Sequence, residues 1–427
     1  MTADSSQPPA PPPRLSVNAL ERRVKRWLAS GPFDCFVQVA PGLVEILADE
    51  LLDLGLASGR QGLHVARGGI GLELDHEGIM RANLQLRTAG RVMLRLGNFP
   101  ASSREMLYDR ARKLPWEVQL GFAAGYRLRV TAKNSKLQAG DEVTNTVAST
   151  VSRSMREVGL YPKPSEDAPL EFHIRLLDDR CTISLNTSGE HLHRRGVRTH
   201  VHTAPVRETL AAAVALTGLA ALPEPPDLVV DPFCGSGTIL IEAADLTSAL
   251  PPGRHRGFAF QHAAWFREGR WREVQRQAVA ATGAHDAGPP PLLGIDSDPK
   301  ALDVARANLA TSGHIGTGGN PATSSHHEVE LVHADSTNFA YEGLSVQRGL
   351  VLSNLPYGLR LGDQREAANV ARRFLDRLAA SRVGWQLVLL VHDPATVTGH
   401  EAFETSSTTA TSNGGVPVVM VAGRVRK

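Results

Sequence analysis

Along the first 190 residues, short runs of alternating apolar and polar positions are separated by stretches with helical spacing. Phe36-Val37-Gln38-Val39, Gly71-Leu72-Glu73-Leu74 and Val92-Met93-Leu94-Arg95-Leu96 read as strands with one face turned inward. Leu43, Ile46, Leu47, Leu51 and Leu54 share one helical face, which Gly55 ends. Residues 15–125 are therefore expected to form a small α+β unit. The segment 126–190 repeats the mixture, with alternation in Tyr126-Arg127-Leu128-Arg129-Val130 and in Phe172-His173-Ile174-Arg175-Leu176. Cys181-Thr182-Ile183-Ser184-Leu185 reads as a hairpin partner across Asp178-Asp179-Arg180, and residues 191–204 read as a linker.

From residue 205 to 427 the pattern changes. Apolar runs at residues 228–231, 292–296, 329–334, 350–354 and 387–391 alternate with helical stretches, which predicts a doubly wound, mostly parallel sheet. Such sheets take ligands at the carboxyl ends of their strands. The chain finishes differently, with a β-branched run from Thr405 to Thr411, then Asn413-Gly414-Gly415, then Val416 to Val421. That is a hairpin signal, placed at the sheet edge.

Bulk properties change this picture little. The 427 residues carry a formal net charge of +2, so any basic surface must be local. Cys35, Cys181 and Cys234 are too few and too scattered for a disulfide framework or a four-cysteine metal site, and a reducing cytoplasm is expected. No apolar run reaches membrane-spanning length. Residues 1–14, rich in proline, read as a disordered tail. His191, His193, His200 and His202 lack a cysteine or carboxylate to complete a ligand set, so no metal is expected.

Two strand ends carry the chemistry. After Leu228-Val229-Val230 comes Asp231-Pro232-Phe233-Cys234-Gly235-Ser236-Gly237-Thr238, a strand, glycine turn and helix start. Backbone N–H groups at such a turn face a bound ligand. The carboxylate of Asp231 suits a cationic amino group better than a pyrophosphate. Asp296, closing the next apolar run, is placed for both hydroxyls of a ribose, and Asp335, closing the one after, for an adenine amine. Amine, diol and adenine in succession describe S-adenosylmethionine. Pro232, Gly235, Ser236, Gly237 and Thr238 complete this expected site, with Asn354 bordering it.

Asn354-Leu355-Pro356-Tyr357 closes the run at 350–354. The side-chain oxygen of Asn354 and the backbone carbonyl of Leu355 can accept from both N–H groups of a nucleobase amine. Pro356 biases Leu355 toward an extended conformation, and Tyr357 would stack on a base taken out of its helix. Methyl transfer to a nucleobase amine is the expected reaction.

These stretches carry a resemblance. With Ala40-Pro41-Gly42-Leu43, Leu86-Arg87-Thr88-Ala89-Gly90-Arg91-Val92 and Ser188-Gly189-Glu190-His191-Leu192-His193-Arg194-Arg195-Gly196, the chain resembles the THUMP-domain RNA guanine-N2 methyltransferases. Gly257-Phe258-Ala259-Phe260-Gln261 with Trp265 is similar to the insertion of the bacterial large-subunit rRNA members. The resemblance implies an N-terminal ferredoxin-like domain, a THUMP domain that holds structured RNA at 126–190, and a C-terminal Rossmann-like class I methyltransferase domain. It also implies N2-methylation of a guanine, in 23S rRNA first, with tRNA as the alternative substrate. In the family the motif at Asn354 is usually Asn-Pro-Pro-Tyr, from which Leu355 departs. Arg129, Lys133, Lys136, Arg194, Arg195 and Arg198 are the expected phosphate contacts, and a monomer is expected. The rival outside enzymology is a non-catalytic RNA-binding assembly factor that keeps the cofactor fold as scaffold.

Overall fold

The computed structural model of the chain describes residues 14–197, 206–280, 288–315, 328–356 and 364–426. Tyr357, Arg198, His200, His202 and the N-terminal tail to residue 13 lie outside the described residues. Fifteen strands among them make two sheets.

The first sheet holds β1 (Phe33–Val39), β2 (His64–Ala66), β3 (Gly69–Leu74), β4 (Ala89–Pro100), β5 (Gly125–Lys133), β6 (Lys163–Pro164), β7 (Glu171–Leu177) and β8 (Arg180–Asn186). Its order is β2-β3-β1-β4-β8-β7-β5-β6. Within β1–β4, helices Val44–Asp53 and His76–Gln85 follow β1 and β3, giving the β-α-β-β-α-β plan of a ferredoxin-like domain. The burial alternation expected of β1 is present, with Cys35, Val37 and Val39 inward. Antiparallel pairing of β4 with β8 fuses this unit to the 126–190 segment in one continuous sheet. The second segment adds helix Asp141–Arg156, whose inward stripe is Val143, Val147, Val151 and Met155.

The second sheet holds β9 (Leu228–Asp231), β10 (Leu292–Asp296), β11 (Val329–His333), β12 (Gly349–Asn354), β13 (Gln386–Val391), β14 (Phe403–Asn413) and β15 (Val416–Val425). Its order is β11-β10-β9-β12-β13-β15-β14. Strands β9 to β13 pair in parallel, while β15 runs antiparallel to both β13 and β14. The Gly414-Gly415 turn has φ +62° and +94°, a conformation that favours glycine, and so allows the tight return of the terminal hairpin. Chain order reverses across the β9–β12 neighbourhood, the topological switch point where such sheets open a ligand crevice.

The two halves share one apolar core and are stitched by polar contacts. Phe260 N–H donates to the Thr187 carbonyl at 2.9 Å, and the Trp265 indole N–H to Gln119 Oε1 at 2.9 Å. The aromatic segment at 258–271 is thus a brace against the front half; Phe258, Phe260 and Trp271 pack ring on ring.

A buried ionic knot joins the halves more tightly. Glu242, on the helix Thr238–Thr247 that follows the glycine turn, accepts from Arg195 Nε at 3.0 Å and lies 3.7 Å from Arg87 Nη1. Arg195 also donates to the Leu192 and Arg87 carbonyls at 2.8 and 2.5 Å. Asp245, one turn on, binds Arg254 and His314, each at 2.6 Å.

This corrects one expectation. Arg195 is only 4% exposed and its guanidinium is spent inside the protein, so it is not a phosphate contact. Its neighbour Arg194 is exposed and, among the described residues, pairs with Glu190. Removing one partner of a buried pair strands the other charge, so Arg195→Ala should lower unfolding stability by about 3–5 kcal/mol. Arg194→Ala should stay within about 0.5 kcal/mol of the parent. Denaturant titration of both variants checks this; equal small losses would contradict the assignment.

Candidate active site

Because β9 and β12 pair in register, with Val351 opposite Val230, their carboxyl ends lie side by side. Asp231 ends one and Asn354 the other. Ser353, buried and one residue before Asn354, donates its hydroxyl proton to Asp231 Oδ1 at 2.7 Å. The same oxygen accepts from Phe233 N–H at 3.2 Å. Ser353 was not singled out from the sequence, since a serine inside an apolar run gives no signal until its strand neighbour is known.

The glycine turn is built as its composition requires. Gly235 and Gly237 have φ of +52° and +77°, values that β-carbon-bearing residues resist. Gly237 also lies so close to the next helix that a β-carbon there would meet Ala305 Cβ at 3.2 Å. Gly235 N–H donates to Asp296 Oδ2 at 2.9 Å, and Asp298 N–H to Oδ1 at 2.9 Å. Each Asp296 oxygen keeps lone-pair capacity beyond that single bond, enough for a diol. Ser236 and Thr238 are buried, their hydroxyls 3.3 Å apart. The Pro232 carbonyl accepts the Ser336 hydroxyl, which ties the end of β9 to the segment after β11.

Asp335 is more self-contained than its expected role suggests. Its Oδ1 accepts from Thr337 N–H and hydroxyl at 2.9 and 2.8 Å, and its Oδ2 from Asn338 at 2.8 Å. Those bonds, the Thr337 backbone N–H foremost, hold its carboxyl below the usual range. Asp335 therefore shapes the turn after β11, and a ligand amine would share an already occupied acceptor.

Asp231 behaves in the opposite sense. Burial, with the charge of Asp296 adding to it, pushes its carboxyl up to about 7 against the Ser353 and Phe233 hydrogen bonds. A buried carboxyl at a strand end, held above its usual range by burial, is stabilised in its charged form when a cationic ligand group sits against it.

Beyond Asn354, Leu355 is buried and its N–H donates to the Leu390 carbonyl at 3.0 Å. That bond anchors the Leu355 peptide on β13, although the family's usual proline is missing there. Pro356 is exposed beside it, on the edge of a cavity of about 400 Å³.

The basic residues of the front half sort by face. Arg129 and Lys133 of β5 are exposed on the same sheet face as Arg175 of β7, because Arg129 lies opposite His173 and Thr131 opposite Arg175. Arg175 had been passed over in the sequence as an alternating strand position. Arg129 shares its charge with Glu171 at 3.2 Å. Lys136 is exposed in the loop after β5. The rings of His191 and His193 stack at 5.4 Å. Burial, then the cations Arg207, Arg194 and Arg195 around it, lowers His193 to about 4, so it is neutral at physiological pH.

Comparison with known proteins follows the same division. Residues 195–420 match the family model described as RMKL-like, methyltransferase domain, and residues 34–93 match the RlmL ferredoxin-like domain. The ribosomal RNA large subunit methyltransferase K/L of Methylococcus capsulatus is 31% identical over 367 residues, covering 84% of this chain and 46% of that protein. The chain thus spans about half the length of the curated relatives it matches first. A solved structure described as a possible methylase from Clostridium difficile 630 superposes with TM-score 0.77 at 25% identity, over 92% of this chain and 98% of that one. A candidate methyltransferase complexed with SAH gives the same TM-score at 24% identity and the same coverage, a likeness of fold.

The raised Asp231 carboxyl makes a checkable demand. Its folded-state value exceeds the ordinary 3.8, so the folded protein holds a proton that the unfolded chain has lost between about pH 4 and 7. Stability contributed by this group is complete below that window and declines as pH rises through it, by up to about 1.4 kcal/mol per unit. Asp231→Asn keeps an oxygen acceptor for Ser353 and Phe233 without the charge. The variant should gain stability relative to the parent as pH goes from 5 to 8 in thermal scans; parallel curves would contradict the burial account.

Proposed function

Because this chain belongs to the RMKL-like methyltransferase-domain family, we propose that it transfers a methyl group from S-adenosylmethionine to the exocyclic N2 amine of a guanine in RNA. Large-subunit ribosomal RNA is the substrate class this reading favours, in a cytoplasmic setting. The observation that carries it is the placement of Asp231 and Asn354 on adjacent strand ends, joined through Ser353.

The residues present fit the cofactor. Asp231 offers a buried carboxyl to the amino group, Gly235 and Gly237 bring backbone close to the ligand, and Asp296 retains acceptor capacity for the ribose diol. When bound, the cofactor supplies a methyl group already activated on a positively charged sulfur.

The protein's share is positioning. An aromatic amine is a poor nucleophile because its lone pair is delocalised into the ring. Accepting both N–H bonds, at Asn354 Oδ1 and the Leu355 carbonyl, favours a pyramidal nitrogen and aims the lone pair. As the N–C bond forms and the S–C bond breaks, Asn354 Oδ1 and the Leu355 carbonyl would hold the N–H groups as hydrogen-bond acceptors only, and the methylated amine would release its extra proton to water. Holding the reacting atoms at ~3–3.5 Å supplies most of the rate gain. The Leu355 N–H bond to Leu390 fixes the peptide that precedes this carbonyl, and Pro356 restricts Leu355 itself, so activity should survive the departure from proline.

RNA would be held ahead of this site. We assign 126–190 as the THUMP segment, between a ferredoxin-like unit at 15–125 and a linker at 191–204. Its exposed Arg129, Lys133 and Lys136, with Arg194 of the linker, supply the phosphate contacts.

Incubating the protein with labelled S-adenosylmethionine and fractionated total RNA from a strain lacking this gene tests the reading. Label should enter the large ribosomal RNA as N2-methylguanosine; label in tRNA alone would overturn the substrate class. Asn354→Ala should cut turnover by about 10²–10³-fold with cofactor affinity retained in calorimetry. Unchanged turnover would remove Asn354 from the chemistry.

A further inference from the structure

The cavity beside Pro356 has two walls of different origin. One is the Leu355-Pro356 end of β12. The other is His392-Asp393, which directly follows β13, and Ala371 of the helix Gln364–Ala379 closes the back. Register explains the juxtaposition: Asn354 lies opposite Leu390 in the parallel pair, so the residues just beyond each strand emerge side by side. At about 400 Å³ the space falls within the range of about 300–1,000 Å³ typical of small-ligand sites. Leu355, Ala371 and Val391 are among its apolar lining residues; His392, Asp393 and Thr396 are the polar ones.

Asp393 is already half committed. Its Oδ1 accepts the Ala395 N–H at 3.0 Å, which shapes the loop after β13 and leaves Oδ2 outside that bond. Asp393 is exposed and lines the cavity.

We propose that Asp393 is the specificity-determining residue of the base pocket, accepting the N1–H of a flipped guanine whose N2 amine is held by Asn354 and Leu355. The inference rests on the guanine-N2 reading above and deepens it. Guanine's Watson–Crick edge presents two neighbouring donors, N1–H and N2–H. Adenine presents a bare N1 beside its amine, and a carboxylate facing that lone pair is repelled. Enzymes that flip a base read it by hydrogen bonds to this edge. With the N2 hydrogens taken by the motif on β12, the N1–H falls next to it, on the side where the adjacent strand β13 ends. A second acceptor at that strand end completes the recognition, and Asp393 is the carboxylate lining the cavity there.

Asp393→Asn separates recognition from architecture. The amide oxygen can still accept from Ala395 N–H, so the loop is kept. The other oxygen becomes an NH2 donor facing a donor, so the N1–H loses its acceptor and meets a like dipole. The full chain would be assayed on 23S rRNA transcribed in vitro, with products read as nucleosides by mass spectrometry. The expected result is a 10–100-fold loss of kcat/KM for N2-methylguanosine, with cofactor affinity by calorimetry and thermal midpoint within error of the parent. The share of methylated adenine among products should rise. Parent-level guanine methylation in Asp393→Asn would overturn the inference while leaving the guanine-N2 reading intact. A parent enzyme that makes no N2-methylguanosine on any RNA would sink that reading and this inference with it. Loss of cofactor affinity or of thermal midpoint in the variant would show Asp393 to be structural and also overturn the proposal.

Discussion

Parallel pairing of β9 with β12 at the point where strand order reverses is the constraint on which the site depends. It brings a buried carboxyl and a side-chain amide from positions more than a hundred residues apart to neighbouring strand ends, and the Ser353 hydroxyl locks them together. The energetic tension is local. Keeping Asp231 out of water costs stability as pH rises, and the structure accepts this where a cationic ligand group can offset it. The same logic places Asp296, bonded to backbone N–H groups at the glycine turn, as the more permanently satisfied partner.

A second constraint couples the halves. The helix that begins at the glycine turn carries Glu242 and Asp245 on its far turns, and these anchor the buried Arg195 and Arg87 and the partly buried Arg254. Arg195 is therefore a structural bolt between the front sheet and the helix that follows the glycine turn. With the aromatic brace at 258–271, the bolt holds the basic face of β5 and β7 in a set relation to the strand ends.

Much of this was legible beforehand, because the signals were local. The apolar runs at 228–231, 292–296, 350–354 and 387–391 are short and buried on both faces, the first three closing on aspartate or asparagine, and each became a parallel strand with bounds within a residue or so. The terminal hairpin was readable from Asn413-Gly414-Gly415. What stayed hidden depends on pairing. Nothing local says that β4 joins β8 into one sheet, that Arg195 turns inward while Arg194 turns out, or that Ser353 meets Asp231. Asp393 lies beyond a strand with no motif of its own, and it gains meaning only from standing next to Leu355 and Pro356.

The most direct test is a crystal structure of the full chain soaked with S-adenosylhomocysteine and guanosine monophosphate. The account predicts the amino end of the cofactor product against Asp231, its ribose on Asp296, and the guanine N2 within hydrogen-bond reach of Asn354 Oδ1 with its ring in the cavity beside Pro356. A cofactor product lying away from Asp231, or an Asn354 side chain turned from the base, would contradict it.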